Sequence, residues 1–166
     1  MKKIRLIEVM EKVNPDMKIS HEDMHDLMMR DTKYIKKYYD RINELNADEV
    51  YDILRYNPES YDLLKDYAKK ILSGDQLANI KAYVPELSEK FTDLNHIIDP
   101  MHIENIIKHD LNKITAFSDI LNDDEWLKEK FKGLKTILEK YPKLKNHSIF
   151  NRAKILNRKG MIDLNL

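Results

Sequence analysis

Apolar and polar positions recur along this 166-residue chain at a spacing of about 26 residues. Four small polar residues, Ser20, Asn46, Ser73 and Asp99, mark the starts, separated by 26, 27 and 26 positions. Four places on from each start the residue is apolar (Met24, Val50, Leu77, Ile103), and seven places on it is apolar again (Leu27, Ile53, Ile80, Ile106). Six places on stands Asp or Asn (Asp26, Asp52, Asn79, Asn105), and twenty places on always Asp: Asp40, Asp66, Asp93 and Asp119. A fixed period of roughly 20–50 residues signals stacked supersecondary units, which offer a binding surface more often than a catalytic pocket.

The spacing inside each unit is helical. In the second unit Val50, Ile53 and Leu54 line one short face, and Asn57-Pro58 interrupts it. Tyr61, Leu64, Ala68, Ile71 and Leu72 then predict a second helix that Ser73-Gly74 ends. Asp31-Thr32, Val84-Pro85 and Asp110-Leu111 fall at the same junction in the other units, and Tyr38, Leu64, Phe91 and Phe117 recur eighteen places in. Each unit is therefore expected to be a helix A of about ten residues, a sharp turn, and a helix B of about twelve to fifteen. The starts carry capping logic: Ser20-x-x-Asp23, Asn46-x-x-Glu49 and Ser73-x-x-Gln76 resemble capping boxes, and Asp99-Pro100 puts Pro at the first helical position.

The ends depart from the pattern. Residues 2–14 are expected to form a lone capping helix with Ile4, Ile7, Met10 and Val13 in line, closed by Asn14-Pro15. After residues 20–121, four hairpin repeats, residues 122–160 make a basic helical unit. Its long first helix starts at Asn122-x-x-Glu125 and buries Trp126, Leu127, Leu134, Ile137 and Leu138; Ile149, Phe150, Ala153 and Leu156 line a second. Residues 161–166 are a tail docked through Met161, Ile162 and Leu164. The expected fold is thus a single all-α domain, a solenoid-like stack of hairpins forming a slightly curved rod very roughly 40–50 Å long. This resembles the α-solenoid class of armadillo, HEAT and tetratricopeptide proteins in general. The period is shorter than theirs, and the Trp, Gly and Ala landmarks of the tetratricopeptide motif are absent.

Composition narrows the chemistry. Three glycines argue against Gly-rich phosphate loops and Rossmann turns, and no cysteine means no disulfide, thiolate metal site or cysteine nucleophile. The basic, briefly apolar start is broken by Glu8, Glu11 and Lys12 before a signal-peptide core can form, so a soluble cytoplasmic protein without membrane contact is expected. The Lys-, Asn- and Ile-rich style suits an AT-rich bacterial or phage genome. Net charge is zero, but residues 126–160 hold eleven Lys/Arg against Glu129 and Glu139, leaving the preceding body acidic.

Three features bear on function. His21-Glu22-Asp23-Met24-His25 spells H-E-x-x-H, the zinc-hydrolase pattern in which two histidines bind metal and the glutamate acts as base. Here it opens a repeat helix, acidic through Asp23 and Asp26, with only twenty residues before it. The expectation is a helix start, with no metal and no cofactor. The aspartates Asp40, Asp66, Asp93 and Asp119 should line one ribbon of B helices, about 10 Å apart, and contact a protein partner with a basic surface. At the basic end, Lys143, Lys145, Arg152, Lys154 and Arg158 form the competing site, one that tracks a nucleic-acid phosphate backbone without reading sequence. A non-enzymatic protein-protein interaction module, an adaptor or inhibitor, is the first expectation. A nucleic-acid-associated protein is the alternative, and a zinc hydrolase through His21, Glu22 and His25 is the remote one.

Overall fold

The computed structural model describes residues 2–166, all helices, turns and connecting segments, with no strand among them. They form two compact units, Met1–Leu72 and Ser73–Leu166. The first contains α1 (Lys2–Val13), α2 (His21–Arg30), α3 (Thr32–Lys37), α4 (Ala47–Tyr56) and α5 (Tyr61–Ile71), with 3-10 segments at Tyr39–Glu44 and Pro58–Ser60. The second contains α6 (Gly74–Tyr83), α7 (Pro100–Ile107), α8 (Ser118–Leu121), α9 (Asp124–Lys140) and α10 (Asn151–Arg158). Its 3-10 segments are Pro85–Leu87, Thr92–Ile97, Leu111–Phe117, Pro142–Asn146 and Ser148–Phe150.

Helices α2, α4, α6 and α7 begin directly after Ser20, Asn46, Ser73 and Asp99 because each start satisfies its free amides locally. Ser20 Oγ accepts from the Asp23 amide at 3.1 Å. Asn46 Oδ1 accepts from the Glu49 amide at 2.8 Å while Glu49 Oε1 accepts from the Asn46 amide at 3.0 Å. Gln76 Oε1 accepts from the Ser73 amide at 2.8 Å, and His102 Nδ1 from the Asp99 amide at 2.9 Å. Acid, amide and imidazole thus do the same job three places after the cap, each such cap contributing about 1 kcal/mol. The residue before each cap (Ile19, Leu45, Leu72, Ile98) is buried, as is the one four places after it (Met24, Val50, Leu77, Ile103), the arrangement of a hydrophobic staple.

The expected core positions are filled. Leu27, Ile53, Ile80 and Ile106 are buried, as are Tyr38, Leu64, Phe91 and Phe117. Within the first unit α2 packs on α4, and within the second α6 packs on α7 and α7 on α9. Asn57, buried at the end of α4, donates from Nδ2 to Met28 O at 3.2 Å and so ties the two helix ends together.

The B segments differ from the long α-helices expected. Only α5 is a continuous eleven-residue helix. The others are α3 followed by the Tyr39–Glu44 3-10 segment, two 3-10 segments at Pro85–Leu87 and Thr92–Ile97, and the Leu111–Phe117 3-10 segment followed by α8. The residues six places after the caps share no common partner. Asn79 Nδ2 donates to Asp75 O of its own helix at 2.8 Å, Asp26 holds Lys3, and Asn105 is exposed.

At the C-terminal end α9 buries the five expected residues, but its cap is Asp123 rather than Asn122, accepting from the Glu125 and Trp126 amides. Trp126 Nε1 donates to Ile98 O at 2.8 Å. α10 ends at Gly160, φ 73°, where the Gly160 amide bonds Asn157 O and the Met161 amide bonds Leu156 O in a Schellman arrangement. Ile162 and Leu164 dock the tail, whereas Met161 is exposed.

Candidate functional site

The four aspartates do not hold one position on successive α-helices. Asp40 and Asp93 are second residues of 3-10 segments, Asp66 lies within α5, and Asp119 is the second residue of α8. Asp40 and Asp66 are exposed residues of the first unit; Asp93 and Asp119 belong to the second. Asp119 has a separate task. Its Oδ2 accepts from Lys81 Nζ at 2.7 Å and from Asn95 Nδ2 at 2.8 Å. The Lys81 side chain is 3% exposed and also reaches Ser88 O at 3.4 Å. Burial pushes the Asp119 carboxyl up, but the bonds from Lys81 and Asn95 outweigh it and hold the group below the usual carboxylate range. The pair opens on a cleft of about 430 Å³ walled by Ser88, Glu89, Thr92, Thr115, Ala116 and Ser118. The hydroxyls of Ser88 and Thr115 donate to the backbone carbonyls of Pro85 and Asn112. Lys81 was missed by sequence reasoning.

The H-E-x-x-H histidines are engaged by carboxylates of α4 and the segment before it. His21 Nε2 lies 2.6 Å from Glu49 Oε2 and its Nδ1 3.8 Å from Glu44 Oε1. His25 stands between Glu49 and Asp52, at 4.0 and 3.9 Å, with its Nε2 buried and unbonded. Glu22 is exposed. Among the described residues no three His, Cys, Asp or Glu side chains stand in an arrangement that could hold a metal ion.

The basic end is divided. Arg152 is committed to Asp124 by two bonds of 2.7 Å, and Lys140 and Lys130 pair with Glu104 and Asp99. Lys143 and Lys145, in the Pro142–Asn146 segment, and Lys154 and Arg158, on α10, form no ion pair among the described residues.

Helix α1 presents what sequence reasoning did not anticipate. Ile7 is buried, but the expected line Ile4, Ile7, Met10, Val13 does not stay on one face. Each third residue falls about 60° short of a full turn, so four of them wander half-way round the helix. The inner face instead uses Glu8 and Glu11. Tyr34 Oη donates to Glu8 at 2.7 Å, and Tyr38 and Lys37 both donate to Glu11. Burial, then the Glu8 bond, push the Tyr34 hydroxyl up to about 12. Lys3 reaches Asp23 and Asp26 of α2 at 2.7 and 2.9 Å. The outer face carries Leu6, Val9, Met10 and Val13, exposed by 59, 57, 44 and 80%. Arg5 and Lys12 are exposed beside them and form no ion pair among the described residues.

No helix among the described residues is long and apolar enough to cross a membrane. No family model, no curated protein and no solved structure matches this chain.

Proposed function

We propose that this chain is a non-enzymatic protein-protein interaction module, an adaptor or inhibitor, in which hairpins repeating at about 26 residues build a solenoid-like scaffold within each unit. The observation that carries this reading is the outer face of α1. The main polar clusters have internal partners: Lys81 with Asp119, His21 with Glu49, Arg152 with Asp124. Leu6, Val9, Met10 and Val13 have no such cover, and a contiguous exposed apolar stripe of this kind marks an interaction surface. Fully burying one such side chain contributes about 1.5–3 kcal/mol, against about 0–1 kcal/mol for an exposed ion pair. The apolar stripe is therefore the anchor, and Asp40 and Asp66 of the same unit steer partner choice through charge.

Pull-down from a native lysate, with and without nuclease, tests this. Wild type should retain a protein partner after nuclease, and Val9→Glu/Val13→Glu should lose it with an unchanged melting temperature. Charge reversal at Asp40 and Asp66 should weaken it less. The second reading draws on Lys143, Lys145, Lys154 and Arg158, which lack carboxylate partners among the described residues. Capture that vanishes with nuclease, and whose salt dependence flattens when these four become Ala, would overturn the module in favour of phosphate-backbone binding.

A further inference from the structure

We infer that the outer face of α1 docks an amphipathic helix of a partner protein, one whose apolar stripe is bordered by carboxylates. This rests on the interaction-module reading. Leu6, Val9, Met10 and Val13 stand at helical spacing (i, i+3, i+4, i+7), so the exposed surface is a ridge on a cylinder. Ridges of this kind mate with the grooves of another helix.

The charges select the kind of helix. Both glutamates of α1 are engaged within the chain, Glu8 by Tyr34 and Lys33 and Glu11 by Lys37 and Tyr38. The charges left beside the stripe are the cations Arg5 and Lys12, with Lys3 at the opposite border held by Asp23 and Asp26. An antiparallel second copy of α1 fits badly, because that pairing sets the Arg5 and Lys12 border against itself. A lipid surface also fits badly, because the stripe holds no Trp or Phe and the opposite face of α1 is engaged by α2 and α3 rather than freely charged. A helix with Glu or Asp along the border that meets Arg5 and Lys12 satisfies both the ridge and the cations.

The test uses the full chain and two synthetic amphipathic helices of about 14 residues with the same leucine stripe, one bordered by Glu and one by Lys. Fluorescence anisotropy at low salt should show the Glu-bordered peptide binding at least about tenfold tighter. Arg5→Glu/Lys12→Glu should invert that preference, and Val9→Glu/Val13→Glu should abolish binding of both. Equal affinities, or no binding of either, would overturn the inference. So would a sedimenting dimer that Val9→Glu/Val13→Glu dissolves, or co-sedimentation with phosphatidylserine vesicles that the same variant loses. Absent peptide preference combined with loss of the lysate partner in Val9→Glu/Val13→Glu overturns only the acid-bordered helix. Retention of that partner by the variant overturns the module reading itself.

Discussion

Eight places after the cap, α2, α4 and α7 carry Met28, Leu54 and Ile107, all buried, whereas α6 carries Lys81. The helix offers an apolar slot there, and the ammonium is tolerable only because Asp119 meets it at 2.7 Å. Removing one partner of such a pair costs more than replacing both, since the remaining charge loses water and counter-ion together. Asp119→Ala should therefore destabilise the protein by about 2–3 kcal/mol in urea titrations, and adding Lys81→Met should recover most of the loss. Equal costs of Asp119→Ala in both backgrounds would deny the coupling. The pair also sets a pH response. The folded Asp119 carboxyl lies below its unfolded value, so the unfolded chain binds the extra proton. Its contribution is complete above the ordinary carboxylate range near about 4 and is lost as pH falls through the folded value. Thermal midpoints should fall on acidification, and less steeply in Asp119→Asn. The place of Lys81 was legible in principle, since aligning the four starts puts it in an apolar column. Its partner was not, because 38 residues separate the two and the twenty-place aspartates read as one partner-facing ribbon.

The A helices were readable from sequence down to their first residue, because a cap and its partner three places on are a local interaction. The B segments were not. Over six residues, periods of 3.0 and 3.6 diverge by about 100° at most, and the two or three apolar positions in so short a stretch fit either, so spacing cannot separate a 3-10 segment from an α-helix. The same closeness of period made Ile4, Ile7, Met10 and Val13 look like one face of α1, and the outer stripe went unread. Close approach explains Gly74, which the sequence presented only as a helix ending. A Cβ there would collide with His102 Cε1 and Nδ1 and lie 2.8 Å from Ile97 O. The imidazole that caps α7 and a backbone carbonyl thus fill the space a side chain would need. Alanine is the better helix former by about 1 kcal/mol, yet displacing the His102 cap and the Ile97 carbonyl costs more. Gly74→Ala should lower stability by about 1–3 kcal/mol in chemical denaturation, and a gain instead would show that His102 moves aside freely.

For the molecule as a whole, the lopsided charge of the sequence is partly spent inside the second unit, where Lys130, Lys140 and Arg152 hold Asp99, Glu104 and Asp124. What remains outward is less ordered than a basic end and an acidic ribbon: cations without carboxylate partners among the described residues, Lys143, Lys145, Lys154 and Arg158 with them, scattered aspartates, and the apolar stripe of α1. That inventory favours a binding protein anchored by α1, because apolar burial outweighs exposed charge pairs. Hydrogen–deuterium exchange of the full chain, alone and with the partner retained after nuclease, tests this most directly. The account predicts new protection concentrated in residues 2–13. Protection confined to residues 142–158, with α1 exchanging as in the free protein, would contradict it.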